Sequence, residues 1–128
     1  MLAEAAERIS FASTYQASQG MYNPDVVLVD IRDIRELENS GQIPGALHAP
    51  RGMLEFWVDP DSPYFKPIFG KTKSFILYCD SGWRSTLATA TLVEMGLQSV
   101  SYLEGGFTAW KRSGLPVEPV AREELVLG

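Results

Sequence analysis

Three short runs of β-branched and aromatic residues, separated by helix-like stretches, constrain this chain most. "VVLV" at 26–29 follows the turn signal "NPD", "SFILYC" fills 74–79, and "SVSYL" fills 99–103. Apolar runs of this length read as strands buried on both faces. The stretches between them carry helix signals. Asp33 and Glu36 have capping-box spacing, Ile34 and Leu37 share a face, and Gly41 closes that helix. Leu87, Thr91, Leu92 and Met95 form one helical stripe that ends at Gly96. "FTAWKRSG" reads as a short helix stopped by Gly114 and Pro116, and Ser10 is placed to cap a helix running to about Gln19. Strand and helix in alternation imply an α/β fold, with a mostly parallel sheet flanked by helices on both faces.

In such sheets ligands bind beyond the carboxyl ends of the strands. Four segments deliver polar or glycine residues there: Asp30 and Arg32, Cys79 to Ser85, Glu104 to Gly106, and Arg51 after the short "ALHAP" segment. The stretch from Gly52 to Lys73 departs from the alternation, being rich in aromatics and prolines with one helical turn expected around Leu54 to Val58. It reads either as a crossover covering one face of the sheet or as a wall of the site mouth built from Phe56, Trp57 or Tyr64. Apolar loop residues usually pack, which favours the crossover.

A chain of 128 residues without repeats or linkers fits one domain, 1–128, able to bury a core without staples. With 11 Lys and Arg against 16 Asp and Glu, the formal charge of −5 gives no support for a nucleic-acid partner. It also provides no long-range pull on anions, so any anion site must be built locally. No apolar run reaches the length of a membrane span, and "MLAEAAERIS" lacks the apolar stretch of a signal peptide. The single cysteine excludes an internal disulfide and a multi-cysteine metal site, and points to a reducing, cytoplasmic setting.

That cysteine opens the stretch "CDSGWRST", residues 79–86. A thiol at the end of a parallel strand, entering a helix, faces inward backbone N–H groups and the positive end of the helix dipole. Both stabilise the thiolate, the species that attacks. Gly82 lets the loop turn, and Arg84 offers a planar fork to an anion above it. Ser85 and Thr86 add hydroxyls, while Trp83 lines the rim. Asp80 opposes activation unless it points to solvent. On its own, the pattern fits a nucleophile or a small hydrophobe closing a core strand equally well.

Three motifs in order resemble the rhodanese-like sulfurtransferases. "CDSGWR" is similar to that family's C-x-x-G-x-R loop. "VDIRDIRELENSGQIPGALHAP" resembles its first signature, and "LEGGFTAWKRSGLPV" its closing element, so the likeness covers about 26–118. The resemblance implies a five-stranded sheet and a persulfide formed on Cys79. The loop residues Asp80, Ser81, Gly82, Trp83, Arg84 and Ser85, with Arg32 and Arg51, would hold a small anionic sulfur donor such as thiosulfate. A thiophilic acceptor, cyanide in assay or a sulfur-accepting protein, would take the sulfur. Asp30, His48, Gly105 and Gly106 would support the site, with Asp30 and Arg32 also readable as a purely structural ion pair. No metal or organic cofactor is implied.

Gln42 stands where the family usually has His, and there a structural hydrogen bond is expected to change hands. Two other functions compete. One is a non-turnover sulfur carrier or protein-binding module of the same fold. The other is a cysteine-based phosphatase or arsenate reductase, whose loop carries one more residue between Cys and Arg than the four, Asp80 to Trp83, found here.

Overall fold

The computed structural model describes residues 9–120. The leader reading rests on residues that lie mostly outside this range, as does the tail "AREELVLG". Five strands run in parallel: β1 (Ser10–Ala12), β2 (Val26–Asp30), β3 (Leu47–His48), β4 (Ser74–Tyr78) and β5 (Val100–Leu103). Their order across the sheet is β1-β5-β4-β2-β3. The apolar runs at 26–30 and 74–78 therefore occupy interior positions, where a strand is covered on both sides.

Five α-helices connect them: α1 (Thr14–Gly20), α2 (Ile34–Ser40), α3 (Leu54–Val58), α4 (Trp83–Glu94) and α5 (Gly106–Arg112). The α2 capping box forms as expected, with Asp33 accepting from Arg35 N and Glu36 returning a bond to Asp33 N. Gly41 ends that helix at φ +78°, and a Cβ there would come within 2.5 Å of the Glu118 carbonyl oxygen. Only glycine fits.

Strand alternation divides the core in two. Phe75, Leu77 and Cys79 face one side with Val29, Leu54, Ala88 and Leu92; Ile76 and Tyr78 face the other with Ala17, Leu103, Phe107 and Trp110. The Gly52–Lys73 stretch covers the first side. Leu54, Val58 and Phe69 are buried, Trp57 and Phe65 pack against them, and Phe69 stacks on Phe75 at 5.2 Å. The crossover reading holds for Trp57, while Phe56 and Tyr64 are exposed and meet edge to face.

Two expectations are corrected. Ser10 caps no helix: it begins edge strand β1, and Ser13 caps α1 through a capping box with Gln16. A three-residue edge strand with Phe11 exposed carries too little periodicity to be read. The inward stripe of α4 is Ser85, Ala88, Thr89 and Leu92, while Leu87 is half-buried and Met95 exposed. Helix phase explains this. Ser85 must face the cysteine, and the positions three, four and seven residues later follow it inward.

The Asp30–Arg32 pair is fully buried, with Arg32 Nη2 2.8 Å from Asp30 Oδ2. Arg32 Nη2 also donates to the Gly41 carbonyl at 2.6 Å, and its guanidinium lies 4.2 Å from the Phe107 ring centroid. Burial opposes the Arg32 charge, but the Asp30 carboxylate overcomes it and the pKa is raised. Arg32→Met would leave Asp30 buried without its cation. The expected cost is about 3–5 kcal/mol, read as a lower urea midpoint with an unchanged slope.

Candidate active site

The site lies where β4 ends and α4 begins. Cys79 follows β4 directly and is 1% exposed. The chain then turns through Asp80, Ser81 and Gly82, with Gly82 at φ +107° as the N-cap of α4. This left-handed residue aims two backbone donors at the sulfur: Gly82 N–H at 3.2 Å and Ser85 N–H at 3.4 Å from Cys79 Sγ. Ser85 Oγ lies 3.5 Å from the sulfur and donates to the Gly82 carbonyl at 3.2 Å, as does Thr86 Oγ1 at 2.7 Å. The thiol thus sits on unsatisfied donors at the start of a twelve-residue helix.

A second element fixes the loop from behind. Phe107 N–H donates to the Cys79 carbonyl at 2.8 Å, and Thr108 N–H to the Asp80 carbonyl at 2.9 Å. The first-turn donors of α5 are satisfied by the cysteine loop itself. This approach needs Gly106, where φ is +61° and a Cβ would stand 2.6 Å from both carbonyl oxygens. Gly105, at φ +77°, is similarly tight, its Cβ position lying 2.6 Å from Ala109 Cβ.

Arg32 forms the structural ion pair with Asp30, and Arg51 and Arg84 are each paired with a carboxylate. Arg32 cannot meet a donor: its side chain is wholly buried and bound to Asp30, Ser40 and Gly41. Arg51 bonds Glu55 one helical turn later. Arg84 gives both ends of its fork to Glu36, at 2.7 and 2.8 Å. This bond to Glu36 raises the Arg84 pKa, and the same bond lowers that of Glu36. Each of the three has a carboxylate partner.

The other expected residues fall as follows. Asp80 and Ser81 are exposed on the loop, and Trp83 is 68% exposed at its rim. His48 Nε2 lies 2.8 Å from the Arg32 carbonyl, which only accepts, so this nitrogen carries the proton. That bond ties β3 to the end of β2. Gln42 donates from Nε2 to the Glu118 carboxylate and pairs with Glu118 through both backbone bonds. Sequence reasoning missed the partnership of Glu36 with Arg84 and the role of Phe107 and Thr108 N–H. The first had a signal, since Glu36 closes the D-x-R-x-x-x-E spacing that begins at Asp30.

The fold is rhodanese-like: a five-stranded parallel sheet flanked by helices, with a thiol at the carboxyl end of a central strand and the next helix beneath it. The sequence profile of the rhodanese-like domain matches residues 13–113, and the chain belongs to that family. It is 39% identical over 93 residues to a sulfurtransferase of Allochromatium vinosum, covering 73% of this chain and 78% of that protein. It is 36% identical over 103 residues to the thiosulfate sulfurtransferase GlpE of Glaesserella parasuis, covering 80% and 87%. A solved structure from Rhodopseudomonas palustris, described as a protein of unknown function and possible tyrosine phosphatase, superposes with a TM-score of 0.88. It is 50% identical and covers 91% of this chain and 90% of that one.

Gly106→Ala separates the loop from α5. The expected result is a loss of at least about tenfold in the rate of Cys79 alkylation or sulfur uptake, because a misplacement of about 1 Å already costs far more in a preorganised site. An Ala variant that reacts at the wild-type rate would contradict the role given to this contact.

Proposed function

We propose that the chain is a sulfurtransferase working through a persulfide on Cys79. The observation that carries this reading is the Cys79 sulfur held over the start of α4 with two N–H groups aimed at it. The Cys79 thiolate attacks the outer sulfur of a donor. With thiosulfate, a new S–S bond forms to Cys79, the bond between the two donor sulfurs breaks, and sulfite leaves with that electron pair. Cyanide then attacks the outer sulfur of the Cys79 persulfide, leaving as thiocyanate and restoring the thiolate. Neither half needs an oxidant, since the sulfane sulfur carries its oxidation state with it.

The cradle stabilises both the thiolate and the terminal sulfur of the persulfide, as fixed donors that need no reorganisation. The 1% exposure of Cys79 favours a slender terminal sulfur over a bulky ester. Gly82, Ser85 and the α5 donors to the loop hold this geometry, with Asp80, Ser81 and Trp83 facing the incoming molecule. The relatives named sulfurtransferase support the reaction class. The sole cysteine supports a reducing compartment such as the cytoplasm. No helix among the described residues is long and apolar enough to cross a membrane.

The Rhodopseudomonas relative gives a phosphatase reading a specific claim on the test. Four residues between Cys79 and Arg84, and an Arg84 fork occupied by Glu36, support sulfur over a tetrahedral oxyanion. Thiocyanate formation should depend on sulfur donor, cyanide and protein, and vanish in Cys79→Ser. Rapid sulfur uptake with negligible cyanide turnover would make the protein a carrier. Hydrolysis of an aryl phosphate that is lost in Cys79→Ser, without thiocyanate formation, would overturn the proposal.

A further inference from the structure

The cations at a donor site decide which anions it accepts, and here those assigned to the donor are engaged. Arg32 is buried against Asp30, Arg51 is paired with Glu55, and the Arg84 fork is closed on Glu36 by two bonds. Arg84 is the only one of the three carried on the cysteine loop, and the charges of Cys79 and Asp80 both act on it. Exposed Asp80 adds a negative charge beside the thiol, and exposed Glu104 follows β5 at the same end of the sheet. The formal charge of −5 adds no long-range attraction for an anion.

Thiosulfate brings two negative charges to this mouth and must approach a thiolate. A persulfide of an uncharged small thiol carries at most one negative charge, and its neutral form is open to attack by the Cys79 thiolate. Its inner S–S bond breaks, its thiol leaves as thiolate with the electron pair, and Cys79 keeps the outer sulfur with its proton. That exchange brings no dianion to the loop and releases none.

We infer that Glu36 sets the charge of the donor: by holding Arg84 it makes the site select persulfides of small thiols over the dianion thiosulfate. This deepens the sulfurtransferase reading and rests on it. Glu36 acts through Arg84, so it is a positioning residue and not a catalytic one. It also completes the capping box of its helix, so the carboxylate is held by the Asp33 N–H as well as by Arg84.

The test is single-turnover sulfur uptake from thiosulfate and from the persulfide of 2-mercaptoethanol, a thiol with no other charge, compared in wild type and Glu36→Gln. Gln keeps an oxygen for the Asp33 N–H, so the helix cap survives. The wild type should load faster from the persulfide by at least about tenfold. Glu36→Gln should raise uptake from thiosulfate by about tenfold, through a lower half-saturating concentration with the limiting rate little changed, and alter uptake from the persulfide less than about twofold. Added salt should accelerate the thiosulfate reaction of the wild type and lose that effect in the variant. Arg84→Met placed on Glu36→Gln should abolish the gain.

An unchanged donor ratio in Glu36→Gln, or an equal rise with both donors, would overturn the inference while leaving the sulfurtransferase reading intact. No sulfur uptake from either donor by either protein would overturn both.

Discussion

The buried guanidinium of Arg32 is the contact on which the site depends. It takes the Asp30 carboxylate at the end of β2, the Gly41 carbonyl at the end of α2, and the face of Phe107 in the first turn of α5. Phe107 in turn donates its N–H to the Cys79 carbonyl, and the Arg32 carbonyl faces His48 on β3. The Arg32 side chain thereby joins the end of β2 to α2 and α5, and backbone bonds of Arg32 and Phe107 extend the link to β3 and to the cysteine loop. Such a charge is expensive to bury, and its enclosure is sustained because its donors find acceptors and its plane lies on an aromatic ring. The cost goes into holding these elements, and with them the Cys79 sulfur, in place.

The loop is then determined from two sides. From below, α4 presents Gly82 and Ser85 N–H to the sulfur; from behind, α5 holds the carbonyls of Cys79 and Asp80. Both arrangements hinge on a glycine at positive φ, Gly82 for the turn and Gly106 for the close approach. The same geometry fixes the phase of α4. Ser85 faces inward at the thiol, so small residues, Ala88 and Thr89, follow it against the sheet.

Much of this was legible in the sequence. The central strands declared themselves because both faces are buried, and α2 because its cap and stop are local chemistry. The cysteine loop stood out by composition, and the three motifs placed it in a family. What escaped depends on contacts across long sequence separations. The fork of Arg84 closes on Glu36, 48 positions away, and the place of Glu36 in the D-x-R-x-x-x-E spacing marks the residue without naming its partner. Edge strand β1 is defined by its pairing with β5, not by its own three residues. The α4 stripe shares Leu92 with the apolar pattern, but its other inward positions follow Ser85, which faces the thiol.

The electrostatics complete the account. A cradle of backbone dipoles holds the sulfur while the nearby arginines are occupied by carboxylates, so the site is suited to stabilise a negative sulfur without attracting every anion in solution. The most direct measurement is the intact mass of the protein after brief exposure to a small-thiol persulfide, before and after cyanide, with Cys79→Ser alongside. The account predicts a gain of one sulfur atom in the wild type, removed by cyanide and absent from the variant. An unchanged wild-type mass, or a gain that Cys79→Ser retains, would contradict it.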